Sequence, residues 1–315
     1  MHPAFSVIFF TTMSGAGYGL LALMSLLATL DRLPADRWFG LAGLGLALAA
    51  VSVGLLSSTF HLGHPERAWR AFSQWRTSWL SREGLIASIT FLPAGLFALG
   101  WVLLQTHDGI WAVFGLATFL LSLATIACTA MIYACLKPIP RWSNGWTLPV
   151  YLALGLMTGA LWLDALALAF GLGDPLLAWI ALGLVLVAAA VKVGYWRHID
   201  AAAPRSTAET ATGLGGLGKV RLFEAPHTGE NYLMREMGFR VARKHAAKLR
   251  RIALFLAFGL PLVLTLLLFL LSPLAGIAVA FLAAISAMAG VFVERWLFFA
   301  QARHAVTLYY GTSEV

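Results

Sequence analysis

Residues that could bind and protonate a small polar ring lie close together between two long apolar stretches of the chain. His61, Gly63 and Arg67 fall within seven positions, and Glu83 follows near the start of the next apolar stretch. Ionisable groups avoid the edge of a bilayer unless they meet a partner or take part in chemistry, because desolvating a charge costs on the order of several kcal/mol. We therefore expect the function of the chain to centre on this cluster.

The cluster suits a lipid-soluble carrier of two electrons and two protons, such as a quinone. A histidine with a pKa near its ordinary value of about 6.5 can donate a hydrogen bond to a carbonyl, which is the role expected of His61. Glu83, partly desolvated, would exchange protons with the ring. Gly63 would let the backbone approach the ring closely. Arg67 would orient Glu83 or the headgroup, and Arg82 belongs to the same predicted site.

Each of these residues also has an ordinary explanation. An interfacial histidine is usually a helix cap or faces lipid, and Arg67 and its neighbouring arginines fit the positive charge common beside membrane spans. Trp69, Trp75 and Trp79 fit an interfacial aromatic belt. Taken from the residues alone, a quinone site and a plain membrane interface therefore both stay open.

The composition predicts an all-α integral membrane protein. Hydrophobic residues make up 60% of the chain and charged residues 11%, and the mean hydropathy is +0.81. Apolar stretches long enough for a bilayer, roughly 20 residues each, lack the alternation of a β-barrel. They predict eight transmembrane helices near 5–30, 38–60, 83–105, 110–136, 147–171, 175–196, 252–271 and 274–300.

The basic residues predict how the helices are oriented. With eight crossings both termini share a side, and 20 of the 22 lysines and arginines fall on that side. Only Arg32 and Arg37 face the other way. The positive-inside rule makes the basic side cytoplasmic, so the termini and the segment from His61 to Glu83 are expected to face the cytoplasm.

A long basic segment divides the chain into three parts. Residues 1–196 hold helices one to six, 197–251 form a cytoplasmic loop, and 252–315 hold helices seven and eight with a tail. An amphipathic helix is predicted near the end of the loop, with the basic residues Arg235, Arg240, Arg243 and Lys244 on one face. This face fits membrane lipid or a cytoplasmic partner, and the two remain open. Nucleic-acid binding is not expected of a membrane-bound loop.

The residues present narrow the redox chemistry further. Every histidine falls in a loop or at a helix end, and the chain has two cysteines. We therefore expect no haem, no iron–sulfur cluster and no metal site here, so that electrons must come from a partner. Glu294 and Arg295 are expected to form a structural ion pair that could reach Glu83. For Asp164, a proton path and a simple polar contact both remain open.

The motif around the cluster resembles a known family. His61-Leu62-Gly63 followed by Pro65, Arg67 and Ala68, and then Ser81-x-Glu83 with Ala87-Ser88, looks like the membrane anchor of dimethyl sulfoxide reductase, the DmsC family. The resemblance implies an anchor without metal that binds ubiquinone or menaquinone beside an iron–sulfur electron-transfer subunit. That subunit would serve a molybdopterin catalytic subunit. The quinol-site positions match His61, Gly63, Arg67 and Glu83.

Two features make the chain more similar to the anchor of the cytoplasm-facing sulfite-oxidising complex, the SoeC family. They are the long basic segment 197–251 and the charge bias that puts the docking face in the cytoplasm, and the stretches Leu217 to Thr228 and Glu294-Arg-Trp-Leu-Phe-Phe-Ala300 add to the similarity. This resemblance implies a bacterial inner-membrane subunit that passes electrons from sulfite oxidation to quinone, without independent activity. The alternatives are a menaquinol-oxidising anchor of the dimethyl sulfoxide reductase type and a redox-inert scaffold. A transporter is disfavoured, because no polar residues cluster at mid-membrane.

Overall fold

The predicted all-α fold of eight spans is confirmed. The structure is a computed structural model that describes residues 5–62, 64–224, 229 and 244–315, with the backbone alone at His61. The part so described holds eight helical segments long and apolar enough to cross a membrane. They comprise α1 (Phe5–Thr29), α2 (Arg37–Ser57), α3 (Trp79–Ala98), α4 (Ile110–Ala134), α5 (Thr147–Ala169), α6 (Pro175–Ala201), the pair α8 (Ala246–Leu254) and α9 (Leu260–Leu267), and α10 (Pro273–Ala300); a short helix α7 (Ala208–Thr212) lies between α6 and α8.

Polar caps set several helix starts. The Ser78 side chain accepts a hydrogen bond from the backbone N–H of Ser81, so α3 begins at Trp79 and not at Glu83 as predicted. Asp36 and Asp174 cap α2 and α6 in the same way. The sixth span, α6, continues as far as Ala201, and the seventh span begins at Ala246 with α8. The connection between the sixth and seventh spans is therefore shorter at both ends than the predicted segment 197–251.

The first and fifth spans form the centre of the bundle. Most residues of α1 and α5 are buried, and α1 packs against α2, α4, α5 and α10. Glycines let α1 and α5 touch backbone to backbone. A Cβ atom at Gly19 would overlap the carbonyl of Gly155, and one at Gly159 would overlap the backbone of Gly19 and Leu20.

Two spans change their helical winding. Pro93 lies inside α3, which ends in a π-helical turn at Leu99–Leu103. The seventh span has a π-helical turn at Phe255–Gly259 between α8 and α9, just before Pro261. Proline removes a backbone donor and frees a carbonyl in the preceding turn, which accounts for the altered winding before Pro261.

The two ends of the bundle are held by hydrogen bonds between loops and helix ends. We call the end with the chain termini the basic end. There Trp142 Nε1 donates to the backbone carbonyl of Phe298 at 2.8 Å, and the backbone N–H of Arg205 donates to the backbone carbonyl of Val315 at 2.8 Å. At the opposite end, Arg37 Nε donates to the carbonyl of Val102 at 2.9 Å. The up-and-down order of the spans therefore matches the predicted placement of both termini on one side.

Candidate functional site at the basic end

Glu83 is buried one turn inside the third span. It is the fifth residue of α3, only 3% exposed, and faces α4. The start of α3 at Trp79 causes this placement, because a start at Glu83 would have left the carboxyl group at the helix end. A buried carboxyl group without a cationic partner is costly when ionised. Glu83 is therefore a buried carboxyl group that has no cationic partner among the described residues.

The hydroxyl group of Thr129 on α4 is the hydrogen-bond partner of Glu83. Its Oγ1 atom donates to Glu83 Oε1, and it also lies 3.1 Å from the backbone carbonyl of Thr125. A hydroxyl group has one hydrogen to donate and lone pairs to accept with. Thr129 can therefore donate to an ionised Glu83, or accept from a protonated Glu83 while it donates to the Thr125 carbonyl. Both protonation states of Glu83 have a partner.

Arg82 fastens the preceding loop to the start of α3. Its Nε atom donates to the carbonyl of Trp75 at 2.9 Å, and its Nη2 atom donates to that of Arg76 at 2.7 Å. The guanidinium group also lies 4.3 Å from the centre of the Trp79 ring. Arg82, predicted as a quinone-binding residue, thus holds the loop that leads into Glu83.

Arg67 lies on the surface of that loop. It belongs to the 3₁₀ segment Pro65–Gln74, and its Nε atom is 3.7 Å from Glu66 Oε1. The same carboxylate oxygen is 3.0 Å from Nδ1 of His64. No ion pair joins Arg67 to Glu83 among the residues that the structure describes. The predicted alignment of Glu83 by Arg67 is thus not formed here, because the guanidinium group pairs with Glu66 in the same turn.

His61 ends a single 3₁₀ turn, Ser58–His61, that follows α2. The backbone N–H of Leu62 donates to the carbonyl of Thr59 at 3.1 Å and closes this turn. The side chain of His61 and all of Gly63 lie outside the described residues. Their predicted contacts with a quinone therefore stay predictions.

Aromatic side chains line the surface of the loop between α2 and α3. Trp69 is 66% exposed, and Arg70 and Arg76 lie over the rings of Trp69 and Trp75, 5.7 and 5.3 Å from the ring centres. Phe72 packs against Gly84. An apolar ring with a cationic group beside it suits the boundary between lipid and water, as predicted for these tryptophans.

The partner of Glu83 was missed in the sequence, although a signal for it exists. Hydroxyl-bearing residues recur on α4 at helical spacing and form one buried stripe: Thr118, Ser122, Thr125 and Thr129. The hydroxyl groups of Thr118 and Thr125 donate to the carbonyl four residues earlier, and that of Thr129 lies 3.1 Å from the Thr125 carbonyl, which explains how they are tolerated in an apolar helix. A polar stripe on one face of a transmembrane helix indicates a helix that faces the protein interior.

A second buried cluster lies deeper among the fifth, sixth and eighth spans. Glu294 on α10 forms an ion pair with Lys192 on α6, and its Oε2 atom is 3.3 Å from Arg295 Nε. All three side chains are at most 2% exposed. The predicted Glu294–Arg295 pair is therefore present. Lys192 is a third member that the sequence analysis did not join to it, and we call these residues the ion-pair cluster.

Asp164 lies apart from both clusters. It is 3% exposed and stands near the end of α5 that is farther from the basic end. No ion pair involves Asp164 in the described part of the chain.

Most of the predicted docking face falls outside the described residues. This holds for Arg235, Arg240 and Arg243, whereas Lys244 is described and exposed. Nearby, a cleft of about 290 Å³ brings together Arg141, Arg205 and Arg303 with Asp200 and Glu314. Burial lowers the pKa of Arg141, and the positive charge of Arg303 lowers it further. This part of the basic end therefore mixes both signs of charge.

The fold and the site together define a class of protein. Eight helical spans, a buried carboxyl group near one end and an amphipathic loop before it are features of a membrane-integral helical protein. Comparison with known proteins gives the family. The model of the DMSO reductase anchor subunit (DmsC) matches residues 1–311. The chain belongs to this family of oxidoreductase anchor subunits.

Relatives within and near the family differ in how much of the chain they share. The C subunit of the sulfite dehydrogenase of Allochromatium vinosum is 36% identical over 98% of this chain and 99% of its own length. YnfH, which belongs to an anaerobic dimethyl sulfoxide reductase of Escherichia coli, is 29% identical over 40% of this chain and 44% of its own length. A component of the anaerobic dimethyl sulfoxide reductase of Haemophilus influenzae is 24% identical over 48% of this chain and 55% of its own length.

Proposed function

We propose that this subunit reduces a quinone at the basic end of the bundle. The observation that carries the proposal is the buried carboxyl group of Glu83, whose partner Thr129 can serve both of its protonation states. Reduction of a quinone consumes two electrons and two protons and yields a quinol. A carboxyl group that changes charge without losing its hydrogen bond suits the protonation step.

Other residues of the cluster would position the quinone ring. His61 would donate a hydrogen bond to a quinone carbonyl, and Gly63 would make room for the ring. Arg67, exposed beside Glu66, would contact the headgroup from the loop. Arg82 would keep that loop against the start of α3 through its bonds to the Trp75 and Arg76 carbonyls.

The electrons would come from partner subunits at the basic end. A relative that covers nearly the whole chain is part of a sulfite dehydrogenase, which favours sulfite as the donor. On a molybdopterin catalytic subunit, sulfite and water would give sulfate, two protons and two electrons. An iron–sulfur subunit would carry the electrons to a ubiquinone or menaquinone bound here, and this chain would hold no haem or cluster of its own.

The basic end would face the cytoplasm of a bacterium. Its excess of lysine and arginine favours this orientation by the positive-inside rule. Both termini, the docking residues and the Glu83 site would then lie on the cytoplasmic side. If protons and electrons enter from that same side, quinone reduction moves no net charge across the membrane.

A second candidate function is the reverse reaction, in which the same site oxidises a quinol. Two relatives belong to anaerobic dimethyl sulfoxide reductases, although they cover less than half of this chain. In that case Glu83 would accept protons from a quinol, and a terminal electron acceptor would be reduced on the catalytic subunit. Sulfite-driven and quinol-driven assays of one purified complex separate the two directions.

The test is turnover of the complex purified through this chain from its own membranes. Sulfite-dependent reduction of a soluble quinone analogue is measured for the wild type and for Glu83→Gln. The variant keeps the size and hydrogen-bonding of the side chain but not its proton exchange, so turnover should fall about 100-fold or more while the subunits still copurify.

Glu66→Gln is the matched control, because Glu66 is an exposed carboxylate in the neighbouring loop. It should keep its turnover. Full turnover in Glu83→Gln would remove Glu83 from the mechanism. A wild-type complex that neither reduces a quinone analogue nor binds a hydroxyquinoline oxide inhibitor would leave the scaffold as the function.

A further inference from the structure

A small polar cavity lies between the Glu83 site and the ion-pair cluster. It is lined by residues of α1, α4, α5 and α10 and has a volume of about 10 Å³, which is room for about one water molecule. Its walls include Thr12 and Tyr18 of α1, Thr129 of α4, Tyr151 of α5 and Arg295 of α10. The cavity therefore touches the partner of Glu83 on one side and a member of the ion-pair cluster on the other.

Several polar atoms around this cavity are buried without a well-formed hydrogen bond to any described residue. They are Thr12 Oγ1, Tyr18 OH, Tyr151 OH and one terminal nitrogen of Arg295, Nη1. The Tyr18 hydroxyl group also lies near that of Thr125, and the Tyr151 hydroxyl group lies near the Arg295 guanidinium group. Each of these side chains is less than 6% exposed. A polar atom that is buried without a hydrogen-bond partner destabilises the folded state. Four such atoms around a space of this size are the surroundings that hold an ordered internal water, which typically makes two to four hydrogen bonds.

The groups around the cavity would orient the hydrogen bonds of such a water. The Nε atom of Arg295 faces Glu294 at 3.3 Å, and its guanidinium carbon lies 3.7 Å from the centre of the Tyr151 ring. The Nη1 atom makes no well-formed hydrogen bond to a described residue, so a water in the cavity could accept from it and bridge it to the nearby Tyr151 hydroxyl group. That water can donate in turn to Thr129 Oγ1, whose own hydrogen goes to Glu83. The result is a chain of hydrogen bonds that points from a cation to the carboxylate.

We propose that the cavity binds one water, and that Arg295 acts through this water and Thr129 as a positioning residue for Glu83. The proposal rests on the proposed function, because it concerns the same carboxyl group. The ion-pair cluster has two basic groups and one acidic group, so its excess positive charge has no acidic partner among the described residues. Through the water, this charge would stabilise Glu83 as a carboxylate after Glu83 has given its proton to the quinone.

Other groups face Glu83 from the elements around it and are part of the same electrostatic balance. They are Tyr18 of α1, Cys128 and Tyr133 of α4, Tyr151 of α5, and Arg82 of its own helix. Of these five residues, Tyr18 and Tyr151 line the cavity and the other three do not. Arg295 differs from Arg82 in that its charge is buried and has no direct bond to the loop.

The pH profile of quinone-coupled turnover tests the proposal, because a merely structural residue would lower the amplitude without moving the profile. In the purified complex, Arg295→Gln removes the charge and leaves Lys192 and Glu294 as a balanced pair. Glu83 then keeps its proton to higher pH, so the alkaline limb should move up by about half a pH unit or more. Arg295→Lys should restore much of the wild-type position.

Two further variants separate the water path from direct electrostatics. Arg250→Gln is the matched control, since Arg250 lies near the ion-pair cluster, over the Trp196 ring, but does not line the cavity. It should leave the profile in place. In a Thr129→Val background, Arg295→Gln should move the limb less than it does in the wild type, because the link to Glu83 is already broken.

A wild-type complex that turns over, with an Arg295→Gln profile that superimposes on it, would overturn the inference and leave the proposed function standing. A complex without quinone turnover would instead remove the proposed function itself. If Arg295→Gln does not assemble, a high-resolution density map of the wild-type complex decides. Density for a water beside Arg295 Nη1 and Tyr151 OH supports the proposal, and an empty cavity with these side chains well defined overturns it.

Discussion

Two buried carboxyl groups near the basic end have opposite surroundings. Glu83 has a neutral hydroxyl group as its hydrogen-bond partner, whereas Glu294 lies between the cationic groups of Lys192 and Arg295. A carboxylate between two cations gains by staying ionised. A carboxyl group whose partner is a neutral hydroxyl group has no cation to stabilise its negative charge, so it can change its charge. The comparison teaches that burial alone does not identify a proton-exchanging acid. The charge of the group bonded to the carboxyl group is the more informative feature.

The largest effect is expected at the ion-pair cluster. Glu294→Gln leaves Lys192 and Arg295 buried without an acidic partner, and the loss of one member of a buried pair costs about 3–5 kcal/mol. The amount of assembled chain and its thermal midpoint, followed by size-exclusion chromatography of extracted membranes, should both fall. Lys192→Met is the control, because it leaves a balanced pair and should lose less. Equal midpoints for wild type and Glu294→Gln would contradict the comparison.

A smaller and different effect is expected at the partner of Glu83. Thr129→Val keeps the shape of the side chain but removes a hydrogen bond to a carboxylate, worth about 1.5–3 kcal/mol. Quinone reduction should slow by about 10- to 100-fold with assembly intact, and Thr129→Ser should recover most of it. Thr118→Val removes a buried hydroxyl group from the same stripe, far from Glu83, and should keep its turnover. Similar losses in both valine variants would mean that the hydroxyl stripe serves packing alone.

The loop before α3 should affect binding more than chemistry. Arg82→Gln removes the guanidinium group that donates to the carbonyls of Trp75 and Arg76. The loop before α3 is then held less firmly against the start of the helix. The KM for the quinone analogue should rise about three- to tenfold, the equivalent of about 1 kcal/mol, with a smaller change in kcat. Arg76→Gln, in the same loop, serves as the control. A fall in kcat at constant KM would place Arg82 in the proton chemistry instead.

The smallest effect is expected at Asp164, the third buried carboxyl group. It lies toward the end of α5 far from Glu83, so Asp164→Asn should leave quinone reduction unchanged. In vesicles that hold the complex, a voltage-sensitive dye should report no charge movement for wild type or variant. A potential that forms in the wild type and disappears in Asp164→Asn would show a proton path across the membrane through this residue.

The helices could be predicted from the sequence more fully than the site could. The apolar stretches and the basic loops were enough for eight spans and their relative orientation, because both follow from composition along the chain. The pairing of Glu83 with Thr129 and of Lys192 with Glu294 depends on which faces of distant helices meet. Hydropathy carries little information on that. The start of α3 was misplaced by one turn because Ser78 caps the helix. Arg67 was expected to orient Glu83 or the headgroup, and its neighbour Glu66 was not considered as a partner.

The close contact between α1 and α5 has a consequence for how the chain is made. The glycines at 19 and 155 that let these helices touch are separated by more than a hundred residues. At about 5–20 residues per second, α1 waits on the order of 10 s for its partner during synthesis. Throughout that interval the hydroxyl groups of Thr12 and Tyr18 lack the residues of the later spans that surround them in the finished bundle. An insertase or an early α1–α2 hairpin that shelters this face would therefore govern the yield of the subunit.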